Sequence, residues 1–500
     1  MIISAFAPVA DIRNTLTPVL RTDQGDTELL LLDLGHGHCR LAGSVLGQVF
    51  RKMQGVAPDL HSPDDLRNLF AFLRECRQQK LLLAYHDRSD GGLFATLAEM
   101  AFASHCGLTV EMRSLIADKN VVENLFTEEL GVVVQIRSAD AARVREIAQR
   151  HQLGALLHKV ATLNQDDAIE ILHAGKSLLR QSRSSLQRIW TATSFHMASM
   201  RDNSECAQEE YDSLLDVNDP GFNVGLKFDL NADITAPYIN VKRKPRVAVL
   251  REQGVNGQVE MAAAFDRARF AAVDVHMTDV ISGRVKLDQF NVVAACGGFS
   301  YGDVLGAGGG WAKSILFNER VRRQFQRFFE NPNTLTLGVC NGCQMVSLLH
   351  SLIPGADNWP KFERNRSEQF EGRQILTAVA QSPSVFMQDM QDSWFPLVVA
   401  HGEGRAQFAD AASEQQFLDS GCVAMRYVDN HGQSTQLYPA NPNGSAAAIA
   451  AICNKDGRVT LMMPHPERVI RASQNSWHPA DWQEDAPSMR LFRNARKWLD

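Results

Sequence analysis

The sequence lacks several features that would assign it to a specialised class of protein. Among its 500 residues, no apolar run approaches the roughly 18 residues of a membrane span. No internal repeat of about 20–50 residues and no low-complexity tract stands out. Lysine and arginine number 51 against 57 acidic residues, so the net charge of −6 does not favour nucleic acid or an anionic membrane surface. A globular protein of about two to four domains is the expectation that remains.

Cysteine is also sparse, and its distribution argues against a disulfide framework. Nine cysteines are scattered along the chain, and their number is odd. Such a distribution predicts reduced thiols and a cytoplasmic location. Charged residues make up 22% and apolar residues 45% of the sequence, which excludes general disorder and is enough for more than one core.

A turn-rich segment divides the sequence into two modules. Residues 201–244 include Asn218-Asp-Pro-Gly221, and we expect a linker with little regular structure there. Before it, buried-strand patterns such as Leu29–Leu32 alternate with helix-like stretches and predict an α/β or α+β module over residues 1–200. After it, apolar runs alternate regularly with helical segments. This rhythm predicts a doubly wound parallel sheet over residues 245–500.

The strongest motif is Gly338-Val-Cys340-Asn-Gly342, which lies between a predicted strand and a predicted helix. It fits the glycine–x–nucleophile–x–glycine turn, with cysteine as the nucleophile. The helix N-terminus favours the thiolate, and the amide of Asn341 is a candidate donor to an oxyanion. The alternatives are a buried, unreactive Cys340, a redox pair with Cys343, or half of a zinc site.

A second motif, Pro464-His465-Pro-Glu467, follows another strand-like run. A cysteine nucleophile requires a base, and the base requires an acceptor that orients it. His465 and Glu467 supply both groups. Taken alone this motif is more typical of an ordinary loop, but together with Cys340 it favours a catalytic interpretation.

Two further segments of the second module are candidate parts of the same site. Gly297-Gly298-Phe299 follows a predicted strand, and backbone amides near Gly298 and Phe299 are candidate oxyanion donors, with a flexible glycine loop as the alternative. The Walker and dinucleotide patterns both fail in this loop. His401 also follows a predicted strand, and we expect it to line a pocket for a zwitterionic substrate.

The first module contains Asp87-Arg-Ser89-Asp90-Gly91-Gly92 between a predicted strand and a predicted helix. Asp87 and Asp90 offer the hard oxygens that magnesium prefers. Ser89 and the amides near Gly91 are candidate phosphate contacts at the start of the helix. The alternative is ordinary helix capping by Ser89 or Asp90.

Taken together, these motifs resemble a known family. Gly338–Gln344 and Pro464–Glu467 resemble the triad segments of class I glutamine amidotransferases. Gly297–Asp303 and Arg251–Asn256 are similar to the phosphoribosylformylglycinamidine synthase branch, and His86–Gly92 resembles a segment of its synthetase part. The likeness covers nearly the whole chain.

The resemblance implies both a fold and an activity. It implies an α+β C-terminal lobe of an aminoimidazole-ribonucleotide-synthetase-like core before the linker, and a flavodoxin-like glutaminase domain after it. Cys340, His465 and Glu467 would be the nucleophile, base and orienting acid, and Gln344 would join the glutamine contacts. Ammonia from glutamine would convert formylglycinamide ribonucleotide to its amidine, with ATP as a substrate. Asp87 would bind Mg²⁺ and Ser89 would contact ATP.

The sequence departs from this family in length and in two segments. The family's large form carries a further synthetase half, so we expect a fragment that a missing N-terminal portion completes, in cis or as another chain. Gly309 replaces a common acidic residue, and Gly444–Ile452 has less proline and glycine than its relatives. The remaining alternatives are a free-standing cysteine glutaminase or hydrolase, and a truncated binding subunit without catalysis.

Overall fold

The computed structural model describes residues 4–9, 11–115 and 120–500 of the chain, without the side chains of Arg13 and Ser114. The chain divides into two compact units. The first unit extends to Ser194 and includes Ser213–Val217, and the second comprises Phe195–Asp212 and Asn218–Asp500. In the described part of the chain, no helix combines the length and the apolar character that crossing a membrane requires.

The first unit is built on a mixed sheet of seven strands. The strands are β1 Thr27–Asp33, β2 Leu82–Asp87, β3 Gly107–Glu111, β4 Gly131–Arg137, β5 Leu157–Asn164, β6 Ala168–His173 and β7 Lys176–Ser182. Their order is β2-β4-β1-β5-β3-β6-β7, and every neighbouring pair is antiparallel except β3 and β6. This is an α+β arrangement, one of the two that the sequence pattern predicts and the one that the family resemblance implies.

The central strand β1 is apolar throughout because both of its faces are buried. Leu29 and Leu31 belong to one apolar cluster, whereas Leu30 and Leu32 belong to another. Successive side chains of a strand point to opposite faces, so a run of four leucines supplies two cores. The helices of the first unit are α1 Val45–Val49, α2 Pro63–Gln78, α3 Gly92–Ser104, α4 Val121–Phe126 and α5 Ala141–Arg150. Helix α6 Arg183–Arg201 begins in the first unit and ends in the second, and α7 Ser204–Ser213 belongs to the second unit except for its last residue.

The second unit is built on a sheet of nine strands, with a separate pair beside it. The strands are β8 Arg246–Arg251, β9 Ala271–His276, β10 Val292–Ala295, β11 Leu335–Val339, β12 Lys361–Arg364, β13 Glu371–Val379, β14 Trp394–His401, β15 Glu403–Gln407, β16 Val423–Val428, β17 Ile449–Cys453 and β18 Val459–Met462. The order is β14-β13-β16-β17-β18-β11-β10-β8-β9, and β12 pairs with β15. The helices are α8 Gln258–Arg267, α9 Met277–Ser282, α10 Gly309–Leu316, α11 Glu319–Glu330, α12 Asn341–Ser347, α13 Ala411–Asp419 and α14 Met489–Trp498.

Half of this sheet is parallel and flavodoxin-like. The strands β9, β8, β10, β11 and β18 pair in parallel, which is a 2-1-3-4-5 order within this half. The strands β17, β16, β13 and β14 extend it with antiparallel pairs. The doubly wound fold is therefore confirmed, but the sequence did not reveal the antiparallel extension.

The segment interpreted as a linker contains more regular structure than the sequence indicates. Helix α7, Ser204–Ser213, lies within it, so the expectation of little regular structure is wrong there. Val224, Leu226 and Phe228 pack against the core of the second unit. These apolar residues are separated by polar ones, and this spacing hides their burial from a composition argument.

Candidate active site

Cys340 occupies a sharp turn between strand β11 and helix α12. Its backbone has φ 52° and ψ −112°, a conformation that L-residues adopt only under strain. Its amide donates to Met462 O at 2.9 Å, which joins the turn to strand β18. A Cβ on Gly342 would lie 2.1 Å from Ala295 O, so this flanking position excludes any side chain. The predicted nucleophile-elbow geometry is therefore present around Cys340.

His465 and Glu467 lie just beyond the end of strand β18 and are buried. His465 Nδ1 and Glu467 Oε1 are 2.7 Å apart, and each residue is 1% exposed. A Cβ built on Gly297 would lie 2.5 Å from His465 Cε1 and 3.2 Å from Cys340 Cβ. The imidazole of His465 and the Cβ of Cys340 thus both lie beside one glycine, although 125 positions separate these two residues in the sequence.

The electrostatics of this group favour a protonated imidazole. Burial alone lowers the pKa of His465, but the charges and hydrogen bonds of Glu467 and Cys340 outweigh it and raise that pKa to about 9. A histidine base held by a carboxylate is the partner that a cysteine nucleophile requires. By contrast, complete burial raises the pKa of Cys343 well above its ordinary value, which keeps that thiol protonated. A redox pair between the two cysteines is correspondingly disfavoured.

The glycine loop brings one free amide to the site, not two. Gly298 has φ 145°, and a Cβ there would lie 2.5 Å from Val255 Cα, so the close approach of two backbone segments requires glycine. The amide of Phe299 donates to Gly254 O at 2.9 Å and is therefore already engaged. The oxyanion candidates that remain are the amides of Gly298 and Asn341, the latter in the first turn of α12, where amides have no intrahelical acceptor.

The side chains of Asn341 and Gln344 hold neighbouring segments in place. Asn341 Oδ1 accepts from the amide of Ser300 at 3.2 Å, and its Nδ2 donates to Asp303 Oδ1 at 2.9 Å. Gln344 Nε2 donates to Glu403 O at 2.6 Å. Both side chains are buried, so they fix the glycine loop and strand β15 against helix α12.

His401 is the last residue of strand β14, and it is buried near His465. Its Nδ1 lies 3.2 Å from Asn365 Oδ1, which makes Nδ1 the protonated nitrogen. Burial, followed by the charge of His465, lowers its pKa to about 3, and its Nε2 has no partner among the described residues. The preceding residue, Ala400, accepts a hydrogen bond from Cys340 Sγ at 3.8 Å. His401 is thus a neutral imidazole close to the candidate nucleophile.

In the first unit, Asp87 and Ser89 are both exposed at the end of strand β2. Asp87 Oδ1 accepts from the Tyr85 hydroxyl at 2.5 Å. The N-cap of helix α3 is Gly91, without a side-chain cap, so the capping alternative for Ser89 and Asp90 is wrong. The amide of Gly91 donates to Glu128 Oε1 at 2.9 Å and is not free to bind phosphate.

The middle of this motif contains a buried ion pair that sequence reasoning missed. Arg88 Nη2 donates to Asp33 Oδ1 at 2.5 Å, and its Nε donates to Glu129 O at 2.6 Å. Arg88 is 6% exposed. Nothing local distinguishes this arginine from its solvated neighbours, because its partners come from other strands and loops.

One sequence departure has a conformational consequence. Ala447 and Ala448, in the alanine-rich tract, have φ values of 47° and 58°. Glycine adopts this region without cost, whereas a Cβ is strained there.

The fold and the site define the second unit as an α/β domain with cysteine at a strand–helix turn and a histidine–carboxylate pair beside it. A family model described as a CobB/CobQ-like glutamine amidotransferase domain matches residues 244–499, more than half of the chain. The chain belongs to this glutamine amidotransferase family. A second model, the C-terminal domain of AIR synthase related proteins, matches residues 40–171.

Among solved structures, the chain is similar to three from Thermotoga maritima. PurLQS is 23% identical over 52% of this chain and 100% of that one, with a TM-score of 0.39. PurL complexed with ATP is 16% identical over 35% of this chain and 27% of that one, with a TM-score of 0.29. PurL complexed with FGAR is 15% identical over 35% and 30%, with a TM-score of 0.30. The chain therefore spans less than a third of the length of those two PurL chains.

Proposed function

We propose that the second unit hydrolyses the side-chain amide of glutamine through Cys340, His465 and Glu467. The observation that supports this most directly is the position of Cys340 and His465 beside the same glycine, Gly297, together with the 2.7 Å pair of His465 and Glu467. Membership of a glutamine amidotransferase family supplies the substrate class.

The proposed reaction has two halves. The Cys340 thiolate attacks the amide carbon, and the negative charge on oxygen is held by the amides of Gly298 and Asn341. The C–N bond then breaks, and the imidazolium of His465 gives its proton to the leaving nitrogen, which departs as ammonia and leaves a thioester. Water attacks the thioester and gives a proton to His465. The C–S bond breaks, and glutamate and the thiolate are released. Throughout, Glu467 holds the ring through Nδ1.

We further propose that this ammonia serves the ATP-dependent amidation of formylglycinamide ribonucleotide in purine biosynthesis, in the cytoplasm. The match of residues 40–171 to an AIR synthase related domain supports a synthetase lobe, with Ser89 as a candidate ATP contact. We propose that a supplied N-terminal synthetase portion, in cis or as another chain, would complete this site.

The fit of magnesium to these residues is incomplete. No group of three or more histidine, cysteine or acidic side chains suited to a metal occurs among the residues the structure describes. Asp87 offers one exposed carboxylate, whereas magnesium held by one or two carboxylates also needs phosphate oxygens and water. Within residues 4–9, 11–115 and 120–500, the side chains do not form a metal site by themselves, and we assign no step to the metal.

The test is covalent labelling followed by an activity assay. A glutamine-like alkylating agent should label Cys340 and leave Cys343 unmodified, as peptide mapping would show. Cys340→Ala should abolish glutamine hydrolysis, and the matched Cys343→Ala should retain it. Labelling confined to Cys343, or hydrolysis by Cys340→Ala, would contradict the proposal.

The same assay separates the alternatives. Hydrolysis at full rate without ATP, ribonucleotide or the N-terminal portion would favour a free-standing glutaminase. Binding to the N-terminal portion without any labelling of Cys340 would favour a non-catalytic subunit. Stimulation of hydrolysis by the supplied N-terminal portion is the result we expect.

A further inference from the structure

A cavity of about 560 Å³ within the second unit is lined in part by Glu467, and neither Cys340 nor His465 belongs to its lining. Helix α8 supplies one wall through Glu260 and Ala263, and helix α14 supplies Arg493. Glu467 and the following turn form another side. The volume falls within the roughly 300–1,000 Å³ range of small-molecule pockets.

The charges that line this cavity balance. Four arginines face four carboxylates, and these residues are Arg267, Arg269, Arg471, Arg493, Asp233, Glu260, Asp266 and Glu467. A ligand with a net charge would have to approach groups of its own sign. A ligand that carries one charge of each sign would not.

Three buried polar atoms in the cavity lining have no hydrogen-bond partner in the described residues. They are Glu467 Oε2, Arg269 Nε and Arg493 Nε. Arg493 Nε lies 3.4 Å from Asp233 Oδ1 without hydrogen-bond geometry. Glu467 is 1% exposed and Arg493 is 8% exposed, and a buried polar atom without a partner costs free energy unless something binds it. The cavity therefore offers one acceptor and two donors.

We propose that this cavity binds a zwitterionic α-amino acid, whose ammonium group contacts Glu467 Oε2 and whose carboxylate contacts Arg269 and Arg493. The acceptor and donors without partners match the two charged groups of such a molecule. Aliphatic atoms of Ile470 and Val259 are available to its side chain. This is a second amino-acid site, separate from the substrate position at Cys340.

Occupancy would act on the candidate triad through Glu467, and this consequence rests on the proposed function. The titratable groups around Glu467 are His465 on its own turn and Cys296 after strand β10, whose pKa is raised by burial and by the charge of Glu467. Glu260, Arg471 and Arg493 line the same cavity as Glu467. An added ammonium at Oε2 withdraws negative charge from the carboxylate that stabilises the imidazolium. We therefore expect the basic limb of glutamine hydrolysis to move to lower pH when the cavity is occupied.

The binding test uses the full chain with Cys340 alkylated, which blocks the proposed substrate position. Isothermal titration with L-glutamine should give one site per chain. The deaminated analogue glutaramate lacks the ammonium, and the decarboxylated analogue 4-aminobutanamide lacks the carboxylate. Both should bind at least about tenfold more weakly, since each loses a hydrogen bond to a charged group.

Two variants locate the site. Arg269→Gln should weaken L-glutamine binding about tenfold by the same argument, whereas Arg323→Gln, on the exposed face of helix α11, should leave it unchanged. Ala263→Phe fills the cavity without changing its charge and should abolish binding.

Three outcomes would overturn the proposal: no binding to the alkylated chain, equal binding of either analogue, or equal weakening by Arg269→Gln and Arg323→Gln. The amino-acid site and the proposed glutaminase activity can fail independently of each other. If the alkylated chain binds L-glutamine as described while the untreated chain does not hydrolyse it, the amino-acid site is supported and the glutaminase proposal fails.

Discussion

Replacing Glu467 by glutamine removes the negative charge from the proposed triad but keeps a side chain of nearly the same size and shape. The amide oxygen of glutamine can still accept from His465 Nδ1, which lies 2.7 Å from the carboxylate oxygen. The negative charge that stabilises the imidazolium is lost, whereas the burial that lowers the pKa of His465 remains. The pKa should therefore fall from about 9 towards or below the ordinary value of 6.5.

The expected size of the effect follows from that difference. A shift from 6.5 to about 9 corresponds to a preference for the protonated ring on the order of 3 kcal/mol. At pH 8 most of the wild-type imidazole is protonated, whereas in Glu467→Gln only a minor fraction is. Because the imidazolium donates the proton to the leaving nitrogen, kcat/KM at pH 8 should fall by at least about tenfold.

The measurement is kcat/KM for glutamine hydrolysis as a function of pH. The wild type should lose activity as pH rises through about 9, and Glu467→Gln should lose it at lower pH. Glu330→Gln, an exposed acid-to-amide change at the end of helix α11, is the matched control and should leave the basic limb at the same pH. A basic limb in Glu467→Gln that coincides with that of the wild type would refute the reasoning.

The folding stability of the protein should also depend on the protonation of His465. The folded pKa of His465 lies above its unfolded value, so the folded state binds the extra proton and is stabilised by it. This contribution is fully present below about pH 6.5 and is lost as pH rises through about 9. Urea unfolding at the two ends of this range should show a smaller loss in Glu467→Gln than in the wild type. Equal losses would contradict the assigned charge interaction.

Two further substitutions test other parts of the structure. Gly342→Ala places a Cβ 2.1 Å from Ala295 O and should lower the free energy of unfolding in urea by at least about 2 kcal/mol. The control is Gly402→Ala, whose added Cβ has no atom within 4 Å and should lower it much less. Equal losses in the two variants would contradict the packing argument. Asp87→Asn should weaken magnesium-dependent ATP binding about tenfold once the N-terminal portion is supplied, as titration calorimetry would show, because a carboxylate ligand becomes an amide. The exposed Asp26→Asn is its control, and unchanged binding in Asp87→Asn would remove support for a metal ligand there.

The features that the sequence revealed are those encoded by neighbouring residues. Gly338–Gly342 specifies a strand, a turn and a helix within a few positions, so the elbow could be predicted. The engagement of the Phe299 amide depends on Gly254, 45 positions earlier, and no local pattern carries it. The start of helix α8 depends on a similar long-range bond, because Gly257 is its N-cap and the amide of the preceding Asn256 donates to Gly297 O.

Long-range pairing also explains what else was missed. The ion pair of Arg88 and Asp33 joins positions 55 residues apart. The sequence near Arg88 does not show whether the arginine is buried or exposed to solvent. The antiparallel strands β13 and β16 have apolar patterns compatible with either orientation of pairing. Orientation is decided by connection lengths and packing across the sheet, which a window of sequence does not contain.

The position of strand β18 has a consequence for how this unit is made. Val459–Met462 pairs in parallel with β11 on one side and antiparallel with β17 on the other, so a segment synthesised late joins the two halves of the sheet. A nascent chain that has emerged only as far as residue 450 exposes the unpaired edge of β11. We therefore expect the earlier strands to remain incompletely folded, and accessible to chaperones, until strand β18 has been synthesised. The same late segment carries His465.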